Sequence, residues 1–348
     1  MTDPIDPIAI AVSGGVDSLV CAYLIKRQGI DAVGIHFLTG FENPAEPGPQ
    51  DIQALFRPLD IPVVVIDLKT PFKASVVDYF SAAYQNGKTP NPCLVCNPAI
   101  KFGVLLDEAR RLGASRLATG HYARVQAGRD GRYRLRKGVD EKKDQSYFLS
   151  RLTQDQLACA VFPLGTWTKD NVRALAAENG LKPVNRKESQ DVCFIKDSNY
   201  KDFLIQADGI RPQAGDIVDT SGNRLGSHAG LHRYTVGQRR GINCPASQPY
   251  YVVRIDARRN RLVVGAKDEL YSSRCRVTDV NWIAGAPEGP IRADTRIRYR
   301  HRAVAATVSP DGDDGAVVRF DEPQAAVTPG QGAVFYRGDE VLGGGWIV

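Results

Sequence analysis

The run Ser13-Gly14-Gly15-Val16-Asp17-Ser18 directly follows the apolar stretch Ile8-Ala9-Ile10-Ala11-Val12 and leads into residues at helical spacing, Leu19, Val20, Tyr23 and Leu24. No other feature constrains the chain as strongly, because a buried strand must turn sharply and become a helix within a few residues. Two adjacent glycines let the backbone make that turn and bring its N–H groups close to an anion, and the helix that follows adds the positive end of its dipole. The segment is therefore predicted to be a phosphate cradle, with Ser13 and Ser18 adding hydroxyl donors. Asp17 would repel a phosphate unless a cation were present, which points to Mg2+ held against a diphosphate.

Other phosphate-binding patterns fail on the letters. A dinucleotide fingerprint needs G-x-G-x-x-G, and here the glycines are adjacent with no third in place. A Walker A loop needs a glycine five residues before its Gly-Lys-[Ser/Thr], and ahead of Gly87-Lys88-Thr89 that position holds Ala82. What remains resembles the S-G-G-x-D-S loop of the ATP-pyrophosphatase (PP-loop) superfamily, whose members split ATP into an adenylated intermediate and pyrophosphate.

Around this loop, strand and helix signals alternate: Ile8 to Val12, the helix after Ser18, Ala32 to Leu38, then Ile61 to Leu68. Such alternation predicts an α/β fold with a doubly wound parallel sheet. Its ligands should lie beyond the carboxyl ends of the strands, where the Ser13 loop and Thr119-Gly120-His121, after a short Arg116-Leu117-Ala118 strand, would both fall. Glu42 to Gln50 is a loop. From about Thr153 the pattern is helical, with Thr168 or Asp170 capping Val172 to Ala177 and Gly180 closing it. After Asp208 come short strand pairs. Tyr250–Ile255 and Arg261–Val264 flank one turn, Ala303–Val308 and Ala316–Phe320 a second, and Val334–Tyr336 and Val341–Leu342 a third. These predict two small β-barrels. The expected organisation is 1–207, ATP-binding and catalytic with a helical part at about 150–207, then 208–273, a central barrel, and 274–348, a C-terminal barrel.

At 348 residues the chain can bury a substantial core, and no apolar run approaches the length of a spanning helix. Met1-Thr2-Asp3-Pro4 carries acid where a signal peptide carries base, so the expected location is the cytoplasm, with no membrane partner. The net charge of +6 permits an RNA partner without requiring one. From Asp208 onward Lys267 is the sole lysine among many arginines, whose planar forks suit phosphate and base contact. A genome rich in G and C would give the same bias. The clearest nucleic-acid signal is Arg296, Arg298, Arg300 and Arg302, which alternate along a predicted strand with Ile297, Tyr299 and His301 on the other face. His228 and His232 have helical spacing, but Gly226 and Gly230 argue for loop residues.

Seven cysteines is an odd number for a disulfide framework and directs attention to thiol or metal chemistry. Cys21 falls on an apolar face and reads as core. Thr89-Pro90-Asn91-Pro92-Cys93-Leu94-Val95-Cys96-Asn97 holds a C-x-x-C pair in a Pro-stiffened loop ahead of a helix expected from about Ala99 to Leu112. A helix N-terminus there would lower the thiol pKa. A third cysteine lies in Ser189-Gln190-Asp191-Val192-Cys193-Phe194, a polar stretch expected to be an exposed loop. A structural zinc normally takes four ligands, and no second C-x-x-C exists.

Taken in order, SGGVDS, TPNPCLVCN with Ile100-Lys101-Phe102, ATGHYAR at Ala118 to Arg124, KKDQSYFL at Lys142 to Leu149, SQDVCFI, Thr235 to Gly241 and AAVTPGQGAVFY at Ala325 to Tyr336 resemble the tRNA-specific 2-thiouridylase family over nearly the whole chain. That resemblance implies an enzyme that uses ATP to adenylate the C2 oxygen of the wobble uridine of tRNA and then replaces it with sulfur. It implies Cys193 as persulfide carrier and Cys96 as the nucleophile that releases the sulfur and closes a disulfide with Cys193. It implies an ATP site at Ala11, Val12, Ser13, Gly14, Gly15, Val16, Asp17 and Ser18 with Phe37 and Gly120. It further implies tRNA contacts at His121, Lys143, Asp144, Gln145, Arg298, Tyr299 and Gln331, with Asn91, Pro92 and Cys93 beside the target base. The sulfur would come from a cysteine desulfurase, a relay protein or free sulfide.

The chain departs from that pattern at Cys93, where many members carry Asp, and between Gly40 and Pro49, which lack a Trp-containing acidic stretch. Without the carboxylate, Cys93, Cys96 and Cys193 could also ligate a 4Fe-4S cluster with one open iron. Persulfide and cluster readings both stay open, with a labile zinc third. Two other classes remain at this point. A PP-loop ligase making an amide on a small metabolite explains the Ser13 loop but not the cysteines. A non-enzymatic RNA-binding iron–sulfur module explains the cysteines but not Asp17 and Ser18.

Overall fold

The computed structural model describes residues 7–43, 47–183, 192–195, 199–208, 211–245 and 248–348. The segments Met1-Thr2-Asp3-Pro4 and Ser189-Gln190-Asp191, and part of the loop after Gly40, lie outside the described residues. The chain forms two compact units, one of residues 1–75, 93–196 and 339–342, the other of 76–92, 197–338 and 343–348.

In the first unit, β1 (Ile8–Ala11) leads through the Ser13 turn into α1 (Val16–Arg27), followed by β2 (Ala32–Leu38) and β3 (Val63–Asp67). β4 (Arg116–Ala118) comes next, then the hairpin β5 (Ala123–Ala127) and β6 (Tyr133–Lys137), then β7 (Ala160–Val161). The sheet has the order β3-β2-β1-β4-β7, and all four of its strand pairings are parallel. The strand order reverses between β1 and β4, which pair directly, Ile8 with Arg116 and Ile10 with Ala118. An open α/β sheet binds its ligand at such a switch point, outside the carboxyl ends.

α1 is buried on two sides, which explains why its sequence is apolar nearly all round. Leu19, Cys21, Ala22 and Ile25 pack on the sheet with Ile8, Ile10 and Val12. Val20, helped by Val16, Tyr23 and Leu24, packs on Val172, Leu175 and Ala176 of the helix Lys169–Glu178. That helix starts as its sequence predicts, with the Thr168 hydroxyl accepting the Asn171 N–H and Gly180 just past the end at φ 64°. Thr153 and Gln156 form a capping box for the helix Gln154–Cys159.

The cysteine helix differs from expectation. Helical structure begins at Cys93 and continues to residue 111 through widened turns at Asn97–Val104, so Cys93 and Cys96 lie in the first turn rather than in a preceding loop. Pro98 has no N–H to return to a preceding carbonyl, which favours the widening.

In the second unit, β8 (Gly215–Val218), β9 (Arg224–His228), β10 (Tyr251–Asp256) and β11 (Arg261–Gly265) form a sheet in the order β10-β11-β8-β9. His228 ends β9 and His232 sits in a short turn of 3-10 helix, both buried. β12 (Tyr271–Trp282), β13 (Ile291–Arg296), β14 (Val304–Asp311), β15 (Gly315–Ala325), β16 (Gly332–Arg337) and β17 (Glu340–Ile347) follow. They join in the order β12-β15-β14-β13-β16-β17, and β17 pairs back on β12 to close an antiparallel barrel. Closure pairs the two end strands of the barrel with each other, and the β5–β6 hairpin joins the same sheet where β6 pairs with the start of β17.

The arginine stripe is corrected here. β13 ends at Arg296, and residues 297–302 form a bend with the His301 N–H on the Arg298 carbonyl at 3.0 Å. Period-two alternation therefore does not set the directions of Arg298, Arg300 and Arg302. Arg298, Arg300 and Arg302 are exposed, while Arg296 lies 5.4 Å from the Tyr336 ring centroid.

The β1–β4 junction yields a stability prediction. A Cβ on Gly120 would sit 2.9 Å from the Asp17 carbonyl carbon and 3.1 Å from its oxygen, both backbone atoms that cannot swing away. Gly120→Ala should cost about 1–3 kcal/mol in urea unfolding, and an unchanged midpoint would show that the loop accommodates the methyl group.

Candidate active site

The cradle forms from local backbone rules. Gly14 takes φ 75°, a conformation that favours glycine, and Gly15 is extended at the start of α1 without a side-chain cap. The first N–H groups of α1 are thus left available to an anion. The Ser18 hydroxyl, buried, donates to the Gly15 carbonyl at 2.9 Å and accepts the Ser13 N–H at 3.3 Å. It fastens the turn, whereas Ser13 is exposed. The Val12 carbonyl accepts the Nδ1–H of buried His36 at 3.0 Å, a contact that ties β1 to β2 beside the turn. Phe37, the next residue on β2, is half-buried and registers with Ile66.

Asp17 has the cation that its charge calls for, and the protein supplies it. Lys169 Nζ lies 2.8 and 2.7 Å from the two carboxylate oxygens, and the Tyr122 hydroxyl donates to Oδ1 at 2.7 Å. The charge that the sequence reading assigned to Mg2+ is met at Asp17 by an ammonium.

From Gly120 the chain runs into His121, which reaches the cysteine helix. Lys101 Nζ donates to His121 Nε2 at 3.3 Å, so Nδ1 carries the ring proton and donates to Thr119 Oγ1 at 2.6 Å. Burial, aided by Lys101, pushes the His121 pKa well down and keeps the ring neutral. His121 is buried, facing Lys101 and the ring of Phe162.

The three cysteines share one electrostatic neighbourhood. Burial raises Cys93 to about 11, with Cys193 raising it further and Lys101 lowering it. Cys96 is pushed up to about 12, again by burial first, against the lowering effect of Lys101. Cys193 is exposed as a residue, but protein packed around its sulfur raises its thiol too, opposed by Lys101 and by the N–H groups of Cys193 and Phe194. This corrects the expected lowering by the helix N-terminus: loss of solvent outweighs a partial dipole charge. Phe194 anchors the Cys193 turn, buried against Phe41 and Phe72 with ring centroids 5.9 and 5.8 Å away. All seven cysteines are free thiols, and among the described residues no three His, Cys, Asp or Glu side chains are gathered to hold a metal ion.

The other expected RNA residues fall in two groups. Asp144 is buried, and its carboxylate accepts the N–H groups of Gly138 and Ser146 and the Ser146 hydroxyl. The Gln145 side chain accepts the Tyr122 N–H at 3.0 Å, and Lys143 is half-buried. In the second unit, Gln331 Nε2 donates to the carbonyls of Thr89 and Pro90 at 2.9 and 3.3 Å, fixing the backbone just ahead of Asn91 and Pro92. Arg298 is exposed and Tyr299 half-buried.

Sequence reasoning missed Lys101, Tyr122, Lys169, His36 and Phe194 as parts of the site. Lys101, Tyr122 and Phe194 lay inside recognised motifs, which offered a signal. Lys169 offered none, because a lysine beside a helix cap reads as surface.

The raised thiols carry a pH prediction. Thiolate grows about tenfold per pH unit below the pKa, so iodoacetamide labelling of Cys96, read by mass spectrometry, should climb from pH 7 to 10 without levelling off. Lys101→Met removes a charge that favours the thiolate and should slow labelling at every pH. A plateau near pH 9 would show an unperturbed thiol.

Comparison with known proteins agrees with this geometry. Residues 6–197 match a family model described as a tRNA methyl transferase HUP domain. Residues 201–266 match a tRNA methyl transferase PRC-barrel domain, and 272–347 an aminomethyltransferase beta-barrel domain. The tRNA-specific 2-thiouridylase MnmA of Desulfosudis oleivorans is 54% identical, over 98% of this chain and 94% of its own length. The proteins of the same name from Geotalea uraniireducens and Syntrophotalea carbinolica are each 47% identical over 98% of this chain, covering 94% and 98% of their own lengths. A solved U34-tRNA thiolase, NcsA from Methanococcus maripaludis with its 4Fe-4S cluster, aligns at a TM-score of 0.35 and 19% identity over 54% of this chain and 61% of its own, too loosely to bear on the site. By its near full-length relatives and its matched domains, the chain belongs to the tRNA-specific 2-thiouridylase family.

Proposed function

We propose that the chain is a tRNA-uridine 2-sulfurtransferase, which adenylates the C2 oxygen of the wobble uridine with ATP and replaces it with sulfur, yielding 2-thiouridine, AMP and pyrophosphate. The observation that carries this reading is the continuity from the cysteines through Lys101 and His121 to Gly120 and the Asp17 loop. An adenylating loop and a sulfur-handling pocket share one strand edge, which an amide ligase would not need.

ATP would lie on Ala11 to Ser18 with Phe37 and Gly120, with Mg2+ on the departing diphosphate. A uridine carbonyl is a poor electrophile, and adenylation turns its oxygen into a leaving group. The terminal sulfur of a Cys193 persulfide attacks C2 and AMP departs, leaving a disulfide between Cys193 and C2. Cys96 then attacks Cys193 Sγ and gives up its proton. The electron pair of the broken S–S bond stays on the sulfur of the new 2-thiouridine, and Cys96 and Cys193 end as a disulfide. An external thiol reduces that disulfide, and the persulfide of a desulfurase or relay protein then passes its sulfane sulfur to the Cys193 thiolate, the donor cysteine leaving as thiolate; free sulfide would instead attack Cys193 Sγ of the disulfide itself, giving the Cys193 persulfide and releasing Cys96. Lys101 would favour thiolate at each step. Residues 1–207 would carry this chemistry in the cytoplasm. Asn91 to Cys93, His121, Lys143 to Gln145, Arg298, Tyr299 and Gln331 would meet tRNA, with 208–273 and 274–348 as the two barrels.

Two substitutions test the assignment. Cys193→Ala should lower thiolation of unmodified tRNA by at least about a hundredfold while tRNA-dependent pyrophosphate release persists. If thiolation survives, the carrier assignment is wrong. Cys93→Ser should keep at least about a tenth of the activity, with anaerobically purified protein holding well under one cluster per chain. Stoichiometric iron lost together with activity in Cys93→Ser would establish the cluster instead.

A further inference from the structure

Asp17 poses a physical difficulty that the reaction does not resolve. Its carboxylate sits in the first turn of α1, the region of positive potential that a phosphate would also seek. An uncompensated carboxylate there would occupy that potential and repel a polyphosphate.

We propose that Lys169 is a positioning residue of the nucleotide site, which cancels the Asp17 charge so that the adjacent cradle accepts a polyphosphate. The inference rests on the reading of that cradle as an ATP site. Both carboxylate oxygens lie within 2.8 Å of Lys169 Nζ. The Lys169 side chain is only 6% exposed, against 34% for Asp17, so the ammonium is held under the loop while the carboxylate edges the opening.

Helix stability does not account for this lysine. Lys169 is the first residue of its helix, where a cation opposes the dipole, and a buried ammonium loses its hydration. The surroundings nonetheless fix it. Its N–H donates to Asp140 Oδ2 at 2.9 Å, its helix packs on α1 through Val172, Leu175 and Ala176, and Nζ lies 5.8 Å from the Tyr122 ring centroid. Tyr122 in turn donates to Asp17, so two groups from separate segments hold one carboxylate.

Equilibrium binding of ATP to the full chain, in Mg2+-free buffer without tRNA, tests the proposal, with adenosine as an uncharged control. Lys169→Met should weaken ATP binding at least about tenfold and leave adenosine within about twofold. Lys169→Met combined with Asp17→Asn should recover most of the lost ATP affinity, since the charge left behind is gone. Unchanged ATP affinity in Lys169→Met would overturn the proposal. So would equal losses for ATP and adenosine, the mark of a purely structural lysine, or a double variant as weak as the single one. Wild-type chain that binds adenosine but not ATP, with Mg2+ added as well as without it, would overturn the nucleotide reading itself, and this inference with it.

Discussion

The direct parallel pairing of β1 with β4 is the constraint on which the rest of the site depends. These strands are separated by more than a hundred residues of chain, yet their carboxyl ends emerge side by side where the sheet reverses its order. The Ser13 turn leaves one strand and Thr119-Gly120-His121 the other. Because the two backbones nearly touch, the second position has to be glycine, and the residues after it reach in two directions. Tyr122 goes back to Asp17, and His121 goes outward to Lys101. One strand pairing thus joins the Ser13 turn to the cysteine pocket.

Around that junction, burial and charge oppose each other in a consistent way. The thiols are raised by loss of solvent, and Lys101 is the cation that offsets it at all three. Protonated thiols are poor nucleophiles and poor targets for oxidation, so the pocket is quiet at rest. In the proposed mechanism, activity would come from sulfur arriving already activated as a persulfide, rather than from resting thiolates. Lys169 and Asp17 show the same economy on the other side of Gly120, where a buried ammonium and a half-exposed carboxylate neutralise each other.

Much of this was legible from local pattern. The strand–glycine–helix turn, the strands at Ala32–Leu38 and Arg116–Ala118, the Thr168 cap and the β10–β11 hairpin follow from spacing and turn chemistry that act over a few residues. The failures came where distant groups override local preference. Four alternating arginines read as one strand face, but the chain leaves the sheet at Arg296 and bends. The cysteine pair read as a loop with lowered thiols, but helix already begins at Cys93 and packing removes the water that thiolates need. The Lys169 partner of Asp17 was not legible, because nothing within a few residues of Asp17 supplies a cation.

The sequence by itself determined that there is a sharp glycine turn, that it opens an α/β sheet, that barrels follow, and which cysteines and motifs mark the family. Those features rest on backbone conformation and hydrophobic period, which neighbouring residues dictate. Only the tertiary structure decided which side chains face Asp17 and which charge the cysteines feel. Lys169 lies 152 residues from Asp17 along the chain, and the electrostatic field at a site is summed over space, not over sequence.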